Sequence, residues 1–181
     1  DYFYQFYQDL LAKTQVNYVR STSLPIKPVI KAEQVQNYQL PDKVDVYYAN
    51  SNFLKSKGFK LPYTSTKKVI LMPASDKGQE GKNQFLGKSI AYLSMRYEDQ
   101  QKQRIEDMDV EIAYYEGDWS FFPYNNERKE NLHNPIISLV NDQDMMWEEK
   151  TRLSTTGLNN PMKVENTEQN QKVITELVEK L

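Results

Sequence analysis

The chain has 181 residues, of which 39% are hydrophobic and 27% charged, and its formal net charge is −2. This length fits one domain, or one domain with a small lobe, and the composition excludes a disordered tail and a bundle of membrane helices. Because no basic excess is present, nucleic acid is not expected as a partner. With no cysteine and one histidine, disulfides and zinc sites built on thiolates or paired imidazoles are excluded.

Helix and strand patterns follow one another in the first part of the chain. Apolar residues recur at helical spacing over residues 1 to about 14 and predict an amphipathic helix. Residues 15–20 alternate in the manner of a strand. Two prolines then mark a connection, after which a further strand is expected over residues 29–35.

The next segments predict a strand, a capped helix and an inner strand. Residues 43–48 alternate so that every second side chain shares one face of a strand. Asn50 or Ser51 is expected to cap a short helix that stops at Gly58, because such side chains accept hydrogen bonds from the first free N–H groups. The apolar run 68–72, halted by a proline, is typical of an inner strand.

The second half of the chain predicts one long helix and several strands. The helix is expected over residues 83–101. Residues 109–115 and 119–124 predict two strands joined by a tight turn at 116–118, and thus an aromatic hairpin. Residues 135–140 predict another strand.

A short strand at 162–164 and a helix over 166–181, capped by Asn166 or Thr167, are expected at the end. Helices and strands mix along the chain without strict alternation. This pattern favours an α+β fold, with a mixed sheet and some βαβ pieces, over a doubly wound sheet.

The segment from Gly81 to Ser89 resembles a phosphate-binding loop but fails its spacing. That loop has four residues between its first glycine and the Gly-Lys-Ser/Thr, so that successive N–H groups face one phosphate. Here five residues intervene, and two of them, Phe85 and Leu86, belong to an apolar helical stripe. We therefore expect a loop that leads into a helix, without a nucleotide.

Clusters of acidic residues and the single histidine do not predict a catalytic or metal site. Asp107, Asp109 and Glu111 share one strand face but lack calcium-loop spacing, and the acidic group Asp142, Asp144, Glu148 and Glu149 fails the same test. The spacing around His133 nominates neither a nucleophile nor an orienting partner. We expect no enzyme activity, no metal and no cofactor.

Aromatic residues crowd the predicted hairpin and lie on both faces of its second strand. One face is expected to be core, and the other meets a neighbour, a ligand or a second buried layer. Exposed rings of this kind suit peptide or glycan contact. The candidate substrate-contact residues are Trp119, Phe121, Phe122 and Tyr124.

The first ten residues carry more rings than one buried stripe needs. Tyrosine is frequent where a chain leaves a bilayer, since its ring lies among acyl chains while the hydroxyl stays hydrated. We therefore expect residues 1–14 to be a membrane-proximal helix and residues 166–181 a neighbouring helix that returns to the membrane. The expected membrane-proximal residues are Tyr2, Phe3, Tyr4, Phe6 and Tyr7.

Several segments together resemble a known family. They are Ser89-Ile-Ala-Tyr-Leu93, Val110-Glu-Ile-Ala-Tyr-Tyr115, Phe121-Phe-Pro-Tyr-Asn125, Asn134-Pro-Ile-Ile-Ser-Leu-Val140 and Leu158-Asn-Asn-Pro-Met-Lys-Val164. Their succession is similar to the external domain of bacteriocin-associated integral membrane proteins of Gram-positive bacteria. Those proteins resemble permease subunits of the MacB/FtsX type.

The resemblance implies one extracellular domain, at the outer face of the cell membrane, in an ABC-transporter-type permease. It implies a separate cytoplasmic ATPase subunit as partner, attachment to the membrane through flanking helices, and an antimicrobial peptide or lipid-linked substrate. Export of that substrate and resistance to it both remain open. The alternative function is a surface-anchored binding lipoprotein, or a peptide- or glycan-binding module.

Overall fold

A computed structural model of the chain describes residues 2–27, 29–61, 67–121, 132–154 and 161–180. The strands are β1 Val16–Pro25, β2 Lys43–Asn50, β3 Lys68–Pro73, β4 Val110–Tyr115, β5 Ser120–Phe121, β6 Leu132–His133, β7 Ile136–Val140 and β8 Met162–Val164. The helices are α1 Tyr2–Leu11, α2 Ala32–Asn37, α3 Ser51–Ser56, α4 Glu80–Leu93, α5 Tyr97–Gln100, α6 Trp147–Thr151 and α7 Glu168–Val178.

Six strands form one mixed sheet in the order β4-β3-β7-β2-β1-β8, which gives the α+β fold expected from the sequence. The pairs β3/β4 and β2/β7 are parallel, whereas β3/β7, β1/β2 and β1/β8 are antiparallel. The segment β3-α4-β4 is one of the expected βαβ pieces.

Both faces of the sheet are covered, because successive side chains of a strand point to opposite sides. On β2, Val46 and Tyr48 join the main core with residues of α1, α4 and α7. Tyr47 and Ala49 join a second core with Phe53 of α3. The near-continuous apolar runs of β2 and β3 follow from this burial on two sides.

Close packing of α4 on the sheet depends on Gly87, which lies inside the segment that resembles a phosphate loop. A Cβ at this position would overlap the Cδ1 atom of Ile112 on β4. Ser89 is buried and donates its hydroxyl to the carbonyl oxygen of Phe85, 2.8 Å away within the same helix. These residues therefore serve helix–sheet packing.

Some predicted elements differ from the observed ones. Of the two strands expected to pair across residues 116–118, the first forms as β4 and pairs with β3, and the described part of the second, β5, pairs with β6. Residues 122–124 of that prediction lie outside the described residues. The strand predicted at 29–35 is wrong, because this segment forms α2, whose Val35 reaches the main core. The helix predicted over 83–101 ends at Leu93, since the carbonyl of Ser94 accepts a hydrogen bond from the Glu148 N–H at 3.1 Å.

Candidate functional site

The carboxyl ends of β2 and β7 meet at one end of the sheet, because these neighbouring strands are parallel. Asn50 is the last residue of β2, and Asp142 lies two residues after the end of β7. Tyr7 of α1 contacts both. We call these three side chains the α1 anchor.

Hydrogen bonds in the α1 anchor join α1 to three strands. The Tyr7 hydroxyl donates to Asp142 Oδ1 at 2.5 Å, and Asn50 Nδ2 donates to the two oxygens of Asp142 at 3.2 and 3.3 Å. Asn50 Nδ2 also donates to the carbonyl of Val16 at 2.9 Å, and Asn50 Oδ1 accepts from the N–H of Tyr18 at 3.0 Å. The side chain of one asparagine thus links α1, β1, β2 and the end of β7.

Asn50 also caps α3, as its residue type predicts. Its Oδ1 accepts from the N–H of Phe53 at 3.1 Å, which satisfies one of the free donors in the first helical turn. The helix ends before Gly58, whose φ of +89° lies in the left-handed region that glycine adopts readily.

The carboxylate of Asp142 is held by neutral donors in a largely buried position. Burial raises the pKa of Asp142, and the hydrogen bonds from Tyr7 and Asn50 partly oppose this rise. Burial and the neighbouring Asp142 carboxylate together raise the pKa of the Tyr7 hydroxyl far above its ordinary value. The phenol therefore stays protonated and acts as a donor, which suits a structural fastening.

Two buried ion pairs fasten α6 to the same end of the sheet. Arg20 of β1, only 2% exposed, places Nη1 at 2.9 Å from Glu148 Oε1. Lys68 of β3 pairs with the fully buried Glu149, which also accepts from the N–H of Met146 at 2.7 Å. Burial raises the pKa of Glu149, and the Lys68 ammonium opposes that rise.

The terminal helices are neighbours, as the sequence predicts. Lys13 Nζ lies 3.5 Å from Glu176 Oε2, and Thr14 Oγ1 donates to Asn170 Oδ1 at 2.8 Å. The expected apolar stripe of α7 contributes Val173 to the main core. The segment that follows α1 is thus held against α7 while α1 itself is held against the sheet.

The rings of α1 divide between core and solvent. Tyr7 is fully buried, and Tyr4 and Phe6 are partly buried against the main core. Tyr2 is 72% exposed and Phe3 is 42% exposed. Phe3 and Tyr7 share one helical face, so Phe3 lies one turn beyond the part of α1 that the domain covers.

Of the predicted substrate-contact residues, Trp119 and the backbone of Phe121 lie at the opposite end of the sheet. The indole N–H of Trp119 donates to the carbonyl of Glu116 at 2.8 Å, and its ring packs 4.2 Å from the ring of Phe59. Trp119 is therefore half-buried against the second core. Phe122 and Tyr124 lie outside the described residues, as does the environment of the Phe121 side chain.

His133 lies beside this ribbon and is exposed. Its Nε2 is 2.9 Å from Asp118 Oδ1, and both side chains are more than half exposed. Within the described ranges, no group of three or more histidine, aspartate and glutamate side chains is placed to hold a metal ion. This pair carries no arrangement that would activate a nucleophile.

Three surface grooves lie away from the α1 anchor. One runs along the outer face of α7, one is lined by β8 together with Gln15 and Asn17, and one lies between α2 and residues 78–82. None of the three is lined by Tyr7, Asn50 or Asp142. The anchor is therefore suited to holding elements together, and these grooves give it no route to a ligand.

The α1 anchor and the two ion pairs are absent from the sites that the sequence predicts. The sequence treats Asp142, Glu148 and Glu149 as members of an acidic group without calcium-loop spacing, and the fold buries Glu149 completely. The sequence does indicate a role for Asn50, because its residue type favours a helix cap at the end of a strand. Its bonds to Asp142, 92 residues away, depend on the pairing of β2 with β7.

Comparison with protein-family models, with curated proteins and with solved structures found no match to this chain. Within the described part of the chain, no helix has both the length and the apolar character needed to cross a membrane.

Proposed function

We propose that this chain is the extracellular domain of an ABC-transporter-type permease that acts in export of, or resistance to, an antimicrobial peptide or lipid-linked substrate. The domain would lie at the outer face of the cell membrane, between membrane helices before and after these 181 residues. A cytoplasmic ATPase subunit would supply the energy. In this function the domain binds the substrate and changes position, and the ATPase subunit hydrolyses ATP.

The observation that carries the proposal is the position of α1 relative to Trp119. Tyr7 joins α1 to the carboxyl end of β7. Trp119 lies at the other end of β7, where its carbonyl oxygen accepts a hydrogen bond from the N–H of Asn134 at 2.8 Å. The strands between the two ends span about 20 Å, at about 3.3 Å per residue. One end of the sheet is thus fastened to α1, and the other carries a candidate contact ring.

This arrangement supports transmission of movement from the membrane. A displacement of α1 acts through Tyr7 on Asp142 and Asn50, which follow or end two adjacent central strands. Since β2 and β7 pair over five residues and the sheet is packed on both faces, these two strands would move together rather than bend. The displacement would therefore reach the ribbon at β5 and β6, where a substrate would be held.

The first test is the gene that encodes the chain. The proposal expects a hydrophobic segment of about 20 residues before residue 1 and further such segments after residue 181. It also expects a separate ATPase to copurify with the full-length protein from membranes. A lipid-attachment cysteine upstream, with a stop codon after residue 181, would contradict the proposal and favour a surface-anchored binding module.

The second test compares loss of the α1 anchor with a similar change elsewhere on the same helix. In the full-length protein, Tyr7→Phe removes the hydroxyl that bonds Asp142, while Tyr4→Phe on the same helix removes a hydroxyl that bonds the backbone carbonyl of Gln143 near the surface. Export or resistance should fall in the first variant and not in the second, at equal amounts of protein in the membrane. Unchanged transport in Tyr7→Phe would refute the role of the anchor in coupling.

A further inference from the structure

We propose that the end of the domain carrying α1 rests on the lipid surface, with Trp147 and Tyr97 inserted at the boundary between headgroups and acyl chains. This inference rests on the proposed function and adds two anchoring residues from outside the terminal helices. The lipid-facing surface consists of Tyr2, Phe3, Tyr97 and Trp147.

These four residues make up the majority of the large apolar side chains that are exposed in the described part of the chain. Tyr2 is 72% exposed, Tyr97 70%, Phe3 42% and Trp147 41%. The other large apolar side chains that are exposed are Val29, Tyr38 and Val178. Burying such rings lowers the free energy, so several of them exposed at one end of the domain favour a contact surface there.

Direct contacts place α6 beside α1. The Lys150 ammonium lies 4.6 Å from the centre of the Tyr4 ring, and the Tyr4 hydroxyl donates to the carbonyl of Gln143 at 3.2 Å. Trp147 precedes Lys150 by one helical turn, so the two residues are neighbours on the surface of α6. Trp147 thus extends the row of rings that begins on α1.

A backbone contact brings the segment before Tyr97 to the start of α6, where Trp147 lies. The N–H of Glu148 donates to the carbonyl of Ser94 at 3.1 Å, which joins the start of α6 to the end of α4. Tyr97 follows Ser94 by three residues. The side chain of Gln100 donates to the carbonyl of Met95 at 3.1 Å, and this bond holds α5 in place. Tyr97 and Trp147 are therefore on rigid supports at one end of the sheet.

The chemistry of the side chains favours a bilayer over a protein partner. Three of the four residues are tyrosine or tryptophan, which combine an apolar ring with one polar group and collect at membrane interfaces. The charges around these rings give no basic excess, because Arg96 and Lys150 are accompanied by Glu98, Asp99, Asp144 and Glu148. The surface also continues along α1 to Tyr2, in the direction of the proposed membrane helix. We therefore expect binding that depends on the rings and not on anionic lipid.

Tryptophan fluorescence tests the orientation, because the chain has two tryptophans near opposite ends of the sheet. The complete 181-residue chain is attached through an N-terminal histidine tag to phosphatidylcholine vesicles that contain a nickel-chelating lipid. In Trp119→Phe the only reporter is Trp147, and in the matched control Trp147→Phe it is Trp119. Lipids brominated near the top of the acyl chain serve as quenchers, and circular dichroism verifies that both variants are folded.

We expect quenching of Trp147 to exceed that of Trp119 by at least about twofold, together with a blue shift of Trp147 emission on vesicle attachment, since only Trp147 enters the apolar boundary. Quenching should be unchanged when anionic lipid replaces part of the phosphatidylcholine. Equal quenching of both reporters, or none at Trp147, would overturn the inference and favour a protein partner as the occupant of this surface.

The two proposals fail in distinguishable ways. If the gene encodes flanking membrane helices but Trp147 is not quenched, the permease function stands and the lipid contact is refuted. If Trp147 is quenched but no membrane helices flank the domain, the lipid contact stands and the permease function is refuted.

Discussion

Removal of the Tyr7 hydroxyl is expected to destabilise the domain measurably, although the change deletes one oxygen atom. Tyr7 is fully buried, and its hydroxyl donates to Asp142 Oδ1 at 2.5 Å. A hydrogen bond to a charged group contributes about 1.5–3 kcal/mol to stability. In Tyr7→Phe the ring keeps its edge-on contact with Tyr18, at 6.3 Å between ring centres, so packing changes little.

We expect Tyr7→Phe to lower the free energy of unfolding by about 2 kcal/mol at neutral pH. For a chain of this size that loss corresponds to a fall in Tm of about 4–8 °C. The measurement is urea unfolding followed by circular dichroism, with m unchanged so that the midpoint alone reports stability.

Tyr4→Phe is the control, because the Tyr4 hydroxyl bonds a backbone carbonyl at 3.2 Å near the surface. It should cost no more than about 1 kcal/mol, which is typical of a neutral hydrogen bond. A double-mutant cycle with Asp142→Asn measures the coupling between Tyr7 and Asp142 directly. If Tyr7→Phe costs less than about 0.5 kcal/mol and shows no coupling, the α1 anchor does not hold α1.

Three further variants or conditions test other features. Gly87→Ala should gain less stability than the roughly 1 kcal/mol that alanine gives inside a helix, because the new Cβ overlaps Ile112 Cδ1. Urea unfolding should show the full gain in the Ile112→Val background, and an equal effect in both backgrounds would contradict the packing account. Burial raises the pKa of Asp142 and Glu149, so the folded chain keeps protons that the unfolded chain releases. Their contribution to stability is complete below the ordinary carboxyl pKa and is lost as the pH rises through the raised values. Unfolding at pH 7 and 5 should show a smaller gain on acidification in Asp142→Asn than in the parent, and identical gains would refute it. Trp119→Ala should lower stability by about 2 kcal/mol, roughly half the cost of deleting a fully buried tryptophan ring, because one side of the ring packs on Phe59. An unchanged Tm would contradict this packing contribution.

Local sequence patterns predict the elements whose signals lie within one turn or one strand. The cap at Asn50, the strand ending at Pro73 and the cap at Thr167 all form where their residue types predict them. In each case the hydrogen bond or the apolar run involves residues close in sequence, so the local sequence is enough to predict the element.

Strand pairing and the α1 anchor depend on contacts that no local pattern encodes. The turn glycine Gly117 indeed has φ of +97°, yet β4 pairs with β3, which precedes it by a whole helix. A tight turn predicts a change of direction but not the partner of the strand before it. Likewise, the buried Glu149 pairs with Lys68, which is 81 residues away in sequence, and the spacing of the acidic group does not predict this partner.

The position of β7 has a consequence for how the chain reaches its final form during synthesis. The ladders β1/β2 and β3/β4 are each made from segments close in sequence, but only β7 hydrogen-bonds to both β2 and β3 within the sheet. Until residues 136–140 have left the ribosome, the two ladders have no shared strand to hold them side by side. Closure of the sheet is then a late and non-local event, of the kind that slows folding. A nascent chain stalled before Ile136 should therefore carry two separate sheet fragments with exposed apolar edges, which is the stage at which a chaperone would be needed.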